Sequence, residues 1–185
     1  MFETKIYIAS VKSLYDKTLF EKLYKTVPEY RRKKIDSYSD IKDKCLSLGC
    51  GLLLSKALKE ASIDENELEY LFKESGMPYF KNHPEINFSI SHSEEMVIVA
   101  LSPDPIGVDV ELIKDQKEKD YEQWTKTESY AKATDTSLAT LLDGKSVFNT
   151  EFRFLLPEYN DGYKYAVCSE QFLNEGHIVR LEKFE

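Results

Sequence analysis

Two carboxylates two positions apart, Asp109 and Glu111 in the sequence IGVDVE, are the first residues with an obvious chemical use. In a β-strand alternate side chains point to the same face, so both acids share one face while Val108 and Val110 share the other. Acids on one face repel each other, and we expect that face to lie outside the core. It either meets solvent, as Asp and Glu usually do, or binds a divalent cation such as Mg²⁺, which is commonly held by carboxylates and substrate phosphates.

The residues before this strand predict a hairpin that positions it. Ile86, Phe88 and Ile90 alternate with polar residues, which is the period of a strand with one buried face. We expect a polar turn over residues 91–95. A strand over residues 96–101 then follows, and its continuous apolar character indicates cover on both faces.

Ser91 and His92 fall in this expected turn. A histidine near the acids could donate a hydrogen bond to a phosphate. A single histidine at a strand end is more often a hydrogen-bonded turn residue. The residues alone leave both interpretations open.

A helix after the acidic strand carries a second pair of ionisable residues. Trp124, Glu128, Ala131 and Lys132 recur at spacings of three and four, which places them on one helix face. Glu128 lies one turn before Lys132, and an exposed pair of this kind contributes only about 0.3 to 0.5 kcal/mol. By itself the pair indicates no function.

The composition favours a cytoplasmic protein with a substantial core. The chain has 185 residues, of which 42% are hydrophobic, enough for one domain or two small lobes. Its net charge of -8 argues against general nucleic-acid binding, which depends on basic surface. We expect no membrane span, no signal peptide and a monomer. Cys45, Cys50 and Cys168 fit no zinc pattern and are expected to be reduced and mostly buried.

The basic residues are unevenly distributed. Arg31, Arg32, Lys33 and Lys34 are consecutive in a chain that is otherwise rich in acids, and Lys44 follows. Such a run usually forms a solvated face. The alternative is a local site for a small polyanion.

The remaining pattern predicts alternating helices and strands. A strand is expected near residues 5–11, then a helix from about Leu14 to Pro28 and a longer helix over residues 41–61. Gly49 and Gly51 lower helix stability, which suggests close approach to another element. Near the end of the chain we expect a strand, a turn at residues 160–162, another strand, and an edge strand within residues 171–184.

Several motifs in this order resemble the phosphopantetheinyl transferases of the larger, surfactin-synthetase-activating type. They are PEYRRKK, LSLGCGLLLSKAL, SGMPYF, SISHS, PIGVDVE, WTKTESYAK and DGYKYAVC. The resemblance implies an α+β fold of two similar lobes, each a mainly antiparallel sheet packed with a helix and related by a pseudo-twofold axis. Residues 1–104 would form the first lobe and residues 105–185 the second, with the active site in the cleft between them.

The resemblance also implies an activity. Enzymes of this family use Mg²⁺ and transfer phosphopantetheine from coenzyme A to a serine of an apo acyl or peptidyl carrier protein, releasing adenosine bisphosphate. Carried over by position, the metal would be held by Asp109, Glu111 and Glu128. Glu128 would also act as base, and Lys132 would neutralise phosphate charge.

The resemblance further implies the residues that bind coenzyme A. Ser91 and His92 would contact its inner phosphates, and Arg31 and Lys33 its ribose phosphate. The family has an arginine at the position of Cys45, so the neighbouring Lys44 would substitute for it.

This chain departs from the family pattern at several further positions. Met77 and Thr127 replace lysines, and Asp135 and Ser137 replace glycines. The segment from Glu111 to Trp124 is also several helical turns shorter than usual. Two alternatives therefore remain: a family member that binds coenzyme A or a carrier protein without efficient transfer, and an unrelated Mg²⁺-dependent phosphate hydrolase built on the same three carboxylates.

Overall fold

The computed structural model describes residues 2–115, 118–143 and 148–185, a mixed α and β structure. Its nine strands are β1 (Lys5–Ser10), β2 (Tyr70–Phe72), β3 (Pro78–Phe80), β4 (Asn87–Ser93), β5 (Met96–Ser102), β6 (Ile106–Leu112), β7 (Arg153–Leu155), β8 (Tyr163–Ser169) and β9 (Ile178–Leu181), counted over those residues. The helices in the same ranges are α1 (Lys17–Tyr24), α2 (Glu29–Asp36), α3 (Ile41–Glu60), α4 (Glu118–Thr134) and α5 (Leu138–Leu142), with short 3₁₀ turns at Lys12–Tyr15, Glu65–Glu67 and Glu175–His177.

The first sheet has the strand order β4-β5-β1-β9. β5 pairs antiparallel with both β4 and β1, and β9 returns from the end of the chain to pair parallel with β1. Every residue of β5 is buried, as its apolar run predicts. The expected edge strand at the end of the chain is therefore present, as the outer strand of this sheet.

Helix α3 covers one face of the first sheet. Tyr7 and Ala9 on β1 pack towards it in the same hydrophobic core as Leu48 and Leu53 of the helix. A Cβ at Gly49 would lie 2.7 Å from Cγ1 of Val11. The close approach expected at this glycine is confirmed.

The opposite face of the first sheet packs against a second sheet. That sheet has the order β6-β8-β7, and both of its pairings are antiparallel. Ile6 and Ile8 of β1 share a buried core with Val108 and Val110 of β6 and Val167 of β8. The first sheet thus lies between α3 and the second sheet, which explains why β1 and β5 are buried on both faces.

Helix α4 packs on β6 and β8 at very short range. A Cβ at Gly107 would lie 1.9 Å from the backbone oxygen of Ser129 and 2.6 Å from the backbone nitrogen of Ala133. Only glycine permits this approach. It places the α4 residues next to Ser129 and Ala133, namely Glu128 and Lys132, beside the acidic strand.

Two local expectations are corrected, and the basic run gains a defined structure. The polar turn is not at residues 91–95, because β4 continues to Ser93 and only Glu94 and Glu95 turn the chain. Asp109 is only 1% exposed, so its face is part of the interior, where polar groups surround it. The four residues of the basic run lie in the middle of α2.

Other expectations are confirmed. Strands β7 and β8 flank the predicted turn, where Gly162 adopts a φ of 82°. The sequence pattern begins the first of these strands at residue 147, which lies outside the described residues. Cys45, Cys50 and Cys168 are free and buried. Within the described ranges, no helix is both long and apolar enough to cross a membrane. The lobe boundaries and the pseudo-twofold relation stay predictions.

Candidate active site

A cleft of about 310 Å³ lies between the first sheet, α2 and α4. Its walls come from distant parts of the sequence. They include Arg31 of α2, Ser47 of α3, Ser91 and His92 of β4, and Lys132 of α4. Four residues selected from the sequence, all except Ser47, therefore meet in one cavity.

Arg31 is the most unusual residue of this cleft. Its side chain is 6% exposed, yet Nε and Nη2 have no hydrogen-bond partner. The guanidinium carbon lies 5.5 Å from the ring centroids of both Tyr30 and Tyr70. Gly51 makes room for the aliphatic stem, since a Cβ there would lie 2.7 Å from Cγ of Arg31. A buried guanidinium with unused donors is costly unless an anion binds it.

Helix geometry decides which other cations reach the cleft. Residues three apart share a helix face, and Lys34, three positions after Arg31, lines the same cavity. Lys33 points elsewhere and forms an exposed ion pair with Glu29 at 2.8 Å. Lys44 is half-buried and does not line the cleft. The structure thus brings Arg31 to the cleft but neither Lys33 nor Lys44.

Ser47 was missed by the sequence reasoning. It is 7% exposed, lines the cleft, and its Oγ has no hydrogen-bond partner. The signal was weak, because a serine in the apolar helix sequence LSLGCG is compatible with simple packing.

The acidic side of the site is centred on Asp109. Its Oδ1 accepts hydrogen bonds from Ser91 Oγ at 2.7 Å and from Lys132 Nζ at 2.7 Å. Its Oδ2 is buried and has no hydrogen-bond partner. Burial raises the pKa of Asp109 to about 6, although Lys132 acts in the opposite direction. One carboxylate oxygen is thus saturated and the other is unsatisfied.

Lys132 connects Asp109 with the second acid on α4. Its Nζ lies 3.3 Å from Oε2 of Glu128 and donates to the backbone oxygen of Val108 at 3.2 Å. Asp109, Glu128 and Lys132 therefore form one ion-pair cluster at the wall of the cleft. Two of the three acids predicted to hold one metal ion, Asp109 and Glu128, thus share one lysine as their partner.

Glu111 lies further along β6 and contacts a different group. Its Oε2 accepts a hydrogen bond from Ser93 Oγ at 2.8 Å. Ser93 was also missed by the sequence reasoning, which assigned it to a turn.

His92 is exposed and lines the cleft, where the neighbouring protein still removes part of the water around its ring. The pKa of its imidazole is lowered, first by this desolvation and second by the charge of Lys132. The ring is therefore neutral near pH 7 and can donate only one hydrogen bond.

A second cavity of about 400 Å³ adjoins the cleft, and Lys132 lines both. Two departures from the family pattern, Met77 and Asp135, line this cavity. Asp135 has a φ of 54°, a conformation typical of glycine. Its carboxylate accepts hydrogen bonds from Lys73 Nζ at 3.0 Å and Ser75 Oγ at 2.9 Å. The aspartate thus ties the turn between β2 and β3 to the end of α4.

The largest cavity, about 1050 Å³, lies elsewhere and is lined by residues including Thr4, His83 and Gln171. It shares no lining residue with the cleft. We place the candidate site in the smaller cavity because the charged clusters and unsatisfied polar atoms are there.

The carboxylates fit a hard divalent cation by their chemistry. Mg²⁺ prefers oxygen ligands, and the unsatisfied Oδ2 of the buried Asp109 is such an oxygen. Within the part of the chain that the structure describes, no three His, Cys, Asp or Glu residues are already grouped as a metal centre. Lys132 Nζ supplies the positive charge beside Asp109 and Glu128 instead. Convergence of Asp109, Glu111 and Glu128 on one ion stays a prediction.

Known proteins similar to this chain are phosphopantetheinyl transferases, which confirms the resemblance inferred from the motifs. The 4'-phosphopantetheinyl transferase Sfp of Bacillus subtilis is 28% identical over 161 residues, covering 66% of this chain and 72% of that protein. The transferase gsp of Aneurinibacillus migulanus is 25% identical over 193 residues, covering 83% and 81%. The transferase ffp of Bacillus subtilis is 29% identical over 161 residues, covering 66% and 72%. No protein-family model matches the chain.

The coverage of these alignments bears on the short segment after Glu111. The alignment with Sfp spans 161 positions but includes only 66% of the 185 residues of this chain. The positions left over are residues of Sfp that have no counterpart in this chain. The same holds for gsp. In this chain α4 is already helical at Glu118, while residues 116 and 117 of the connection lie outside the described residues.

Proposed function

We propose that this homologue of Sfp-type transferases moves phosphopantetheine from coenzyme A to a serine of an acyl or peptidyl carrier protein in the cytoplasm. The observation that carries the proposal is the polarity of the cleft. A buried guanidinium with two unsatisfied nitrogens lines it at Arg31, and Lys132 in its wall pairs with the carboxylates of Asp109 and Glu128. A polyanionic nucleotide that binds together with a divalent cation needs a basic group for its phosphates and carboxylates for the cation.

In this proposal the basic residues of the cleft bind coenzyme A. Arg31 forms charge-assisted hydrogen bonds with the ribose phosphate, which would satisfy its unused donors. Ser91, His92 and Lys132 face the inner phosphates. Lys33 and Lys44, which the family resemblance also assigns to the nucleotide, lie outside the cleft and would contact only its periphery.

The acids fit the metal that the family uses. Asp109, Glu111 and Glu128 would hold Mg²⁺, which when bound supplies charge neutralisation to the phosphates. The ammonium of Lys132 is then free to neutralise phosphate charge, because the acids no longer need it as their partner.

Glu128 is the proposed base. It takes the proton from the hydroxyl of the carrier serine as the serine oxygen forms a bond to the inner phosphorus. The phosphoanhydride bond breaks at the same phosphorus, and adenosine bisphosphate leaves with the bonding electrons. Positioning and charge neutralisation supply most of the rate in such a transfer.

The direct test is to incubate the protein with coenzyme A, Mg²⁺ and an apo carrier protein and to weigh the carrier by mass spectrometry. We expect one added phosphopantetheine per carrier. Glu128→Gln should abolish the addition while retaining coenzyme A binding, because the amide cannot accept the proton. Transfer by Glu128→Gln at the rate of the native protein would remove Glu128 from this role.

A second candidate function is coenzyme A binding without efficient transfer. The environment of Cys45 favours it, because this residue replaces a family arginine, is buried, and directs its thiol to the backbone oxygen of Leu14. Thr127 is buried as well and bonds the backbone oxygen of Gln123. Calorimetry separates the candidates. Binding of coenzyme A with no change in carrier mass would favour the binding protein, and hydrolysis of coenzyme A without a carrier would favour a phosphatase.

The shortened connection before α4 concerns the carrier protein and not the nucleotide. In the family this segment carries a helix near the carrier site, whereas Asp109 and Lys132 keep their contact here. We therefore expect ordinary coenzyme A and Mg²⁺ binding and a raised KM for the carrier. A KM typical of the longer relatives would show that the missing segment is dispensable.

A further inference from the structure

Strand β4 presents serines at alternate positions to strand β6. Ser89 Oγ accepts a hydrogen bond from the backbone nitrogen of Val108 at 3.0 Å. Ser93 Oγ accepts one from the backbone nitrogen of Leu112 at 3.2 Å. Alternate positions of a strand share a face, so the sequence SISHS forms a continuous polar row, the serine row (Ser89, Ser91 and Ser93).

The serine row replaces a backbone ladder between the two sheets. β4 is the edge strand of the first sheet and β6 the edge strand of the second, and they are not paired with each other. Backbone N–H groups of a buried edge need acceptors. The outer two serine hydroxyls supply them, which accounts for one role of the row.

A second role belongs to only part of the row. Ser91 donates to Asp109 and Ser93 donates to Glu111, whereas the bond made by Ser89 is to the backbone of Val108. Two of the three hydroxyls therefore donate hydrogen bonds to the two acids of β6, Asp109 and Glu111. Because a carboxylate offers about four lone-pair positions, one serine bond leaves capacity for a cation.

We propose that Ser93 is a positioning residue that fixes the carboxylate of Glu111 for metal binding. This inference rests on the proposed function, since it concerns the same acids. A glutamate side chain loses rotamer freedom when it is ordered. The bond from Ser93 restrains Glu111 before the metal arrives, so less of the binding free energy is used to order it.

Ser89 provides a matched control because it joins the same two strands without touching an acid. We compare Ser93→Ala, Ser89→Ala and Ser93→Thr with the native protein. Binding of Mn²⁺, alone and with coenzyme A, is measured by electron paramagnetic resonance, and thermal unfolding is measured without metal.

Both alanine variants should lower the melting temperature, since each leaves a backbone N–H without its acceptor. Only Ser93→Ala should weaken Mn²⁺ binding, by about 10-fold, which is the lower end for residues that orient metal ligands. Ser93→Thr keeps the hydroxyl and should restore the affinity. In transfer assays Ser93→Ala should raise the KM for Mg²⁺ while kcat at saturating Mg²⁺ stays within about twofold.

Equal loss of Mn²⁺ affinity in Ser93→Ala and Ser89→Ala would overturn the inference, because the row would then act only as a joint between sheets. Unchanged affinity in Ser93→Ala would also overturn it while leaving the proposed function intact. If the native protein bound no Mn²⁺ with or without coenzyme A, both this inference and the metal-dependent function would fail.

Discussion

The two ends of the cleft solve opposite electrostatic problems. At the cationic end (Arg31, Lys34 and Ser47), a buried guanidinium and a buried hydroxyl have unsatisfied polar atoms. At the carboxylate end (Asp109, Glu128 and Lys132), one lysine pairs with both acids and leaves Oδ2 of Asp109 without a partner. An anionic ligand therefore adds a missing partner at the first end, whereas a cation at the second end meets one free oxygen of Asp109 and oxygens already paired with Lys132.

Each end also depends on a glycine, and the two glycines differ in what they touch. Gly51 makes room for the flexible stem of Arg31, whereas Gly107 makes room for the backbone of α4. A side chain can shift by a few tenths of an ångström, but a helix backbone moves only as a whole. The carboxylate end should therefore be the more fragile of the two.

The largest expected effect is that of Gly107→Ala. The added methyl would lie 1.9 Å from Ser129 O and 2.6 Å from Ala133 N, so α4 must move away from β6. We expect a loss of about 3 kcal/mol in the free energy of unfolding, the upper end for overpacked sites. Urea unfolding measures it.

Val110→Ala is the control for this variant, because Val110 is buried in the core on the opposite face of β6. Val110→Ala should destabilise the protein but leave its affinity for Mn²⁺ unchanged. Gly107→Ala should also weaken Mn²⁺ binding, because it separates Lys132 and Glu128 from Asp109. Native stability of Gly107→Ala would mean that α4 is not held at this distance.

The next largest effect is expected at the cationic end, from Arg31→Met. Hydrogen bonds to charged groups contribute about 1.5 to 3 kcal/mol, so coenzyme A should bind roughly 10- to 100-fold more weakly. Dephospho-coenzyme A should be affected much less. Without ligand the variant should be at least as stable as the native protein, because the methionine removes unpaired buried donors and packs well against rings. Calorimetry and thermal unfolding measure the two effects.

Lys33→Met is the matched control, since Lys33 lies on the same helix but outside the cleft. We expect little change in affinity for either ligand. A larger loss in Lys33→Met than in Arg31→Met would move the phosphate site to the outer face of α2.

Gly51→Ala should have a smaller effect at the same end. The methyl would meet Cγ of Arg31 at 2.7 Å, and the stem can adjust, while alanine favours the helix by about 1 kcal/mol. Stability should change little, but the displaced guanidinium should weaken coenzyme A binding roughly 2- to 5-fold, equivalent to at most about 1 kcal/mol. Gly49→Ala meets Val11 instead and should lower stability without changing affinity. Unchanged affinity in Gly51→Ala would show that Arg31 does not depend on this glycine.

The sequence predicts the carboxylate end better than the cationic end for a physical reason. Glu128 and Lys132 lie one turn apart on a helix, and Asp109 and Glu111 lie two positions apart in a strand, so the relative directions within each pair follow from local geometry. Arg31 belongs to a run of four cations in which charge hides the helical period. Recognising α2 as a helix would have paired Arg31 with Lys34 instead of Lys33.

The serine row shows which contacts a local sequence pattern does not predict. Alternation in SISHS predicts a polar strand face, but it cannot say that this face meets the edge of a second sheet. That contact joins residues about 18 positions apart through side chains and involves no strand pairing. The burial of Asp109 follows from the same contact, and so it was not predictable from the acid spacing.

The smallest expected effect concerns a clasp between α3 and the end of β6, formed by Glu94 with Lys42 and Lys114. Lys42 belongs to α3 and Lys114 follows β6, and both bind the Glu94 carboxylate, Lys114 at 2.9 Å. Hydrogen bonds from Lys42 and then Lys114 lower the pKa of Glu94 from 4.5 to about 2. An acid whose pKa is lower in the folded state stabilises the fold above its unfolded pKa, and this contribution is lost as the pH falls towards the folded value.

Glu94→Gln should therefore be less stable than the native protein above about pH 4.5, with a difference that disappears as the pH approaches about 2. Glutamine keeps the size of the side chain and the positive φ of 52° at this turn, so the comparison isolates the charge. Urea unfolding at a series of pH values measures it, and high salt should reduce the difference because the clasp is exposed. Glu95→Gln is the matched control, because Glu95 lies on the same turn but pairs with Lys12 at 3.1 Å, so that its loss leaves the clasp intact. A stability difference in Glu94→Gln that does not vary with pH would mean that the turn, and not the charge of Glu94, holds α3 and the end of β6 together.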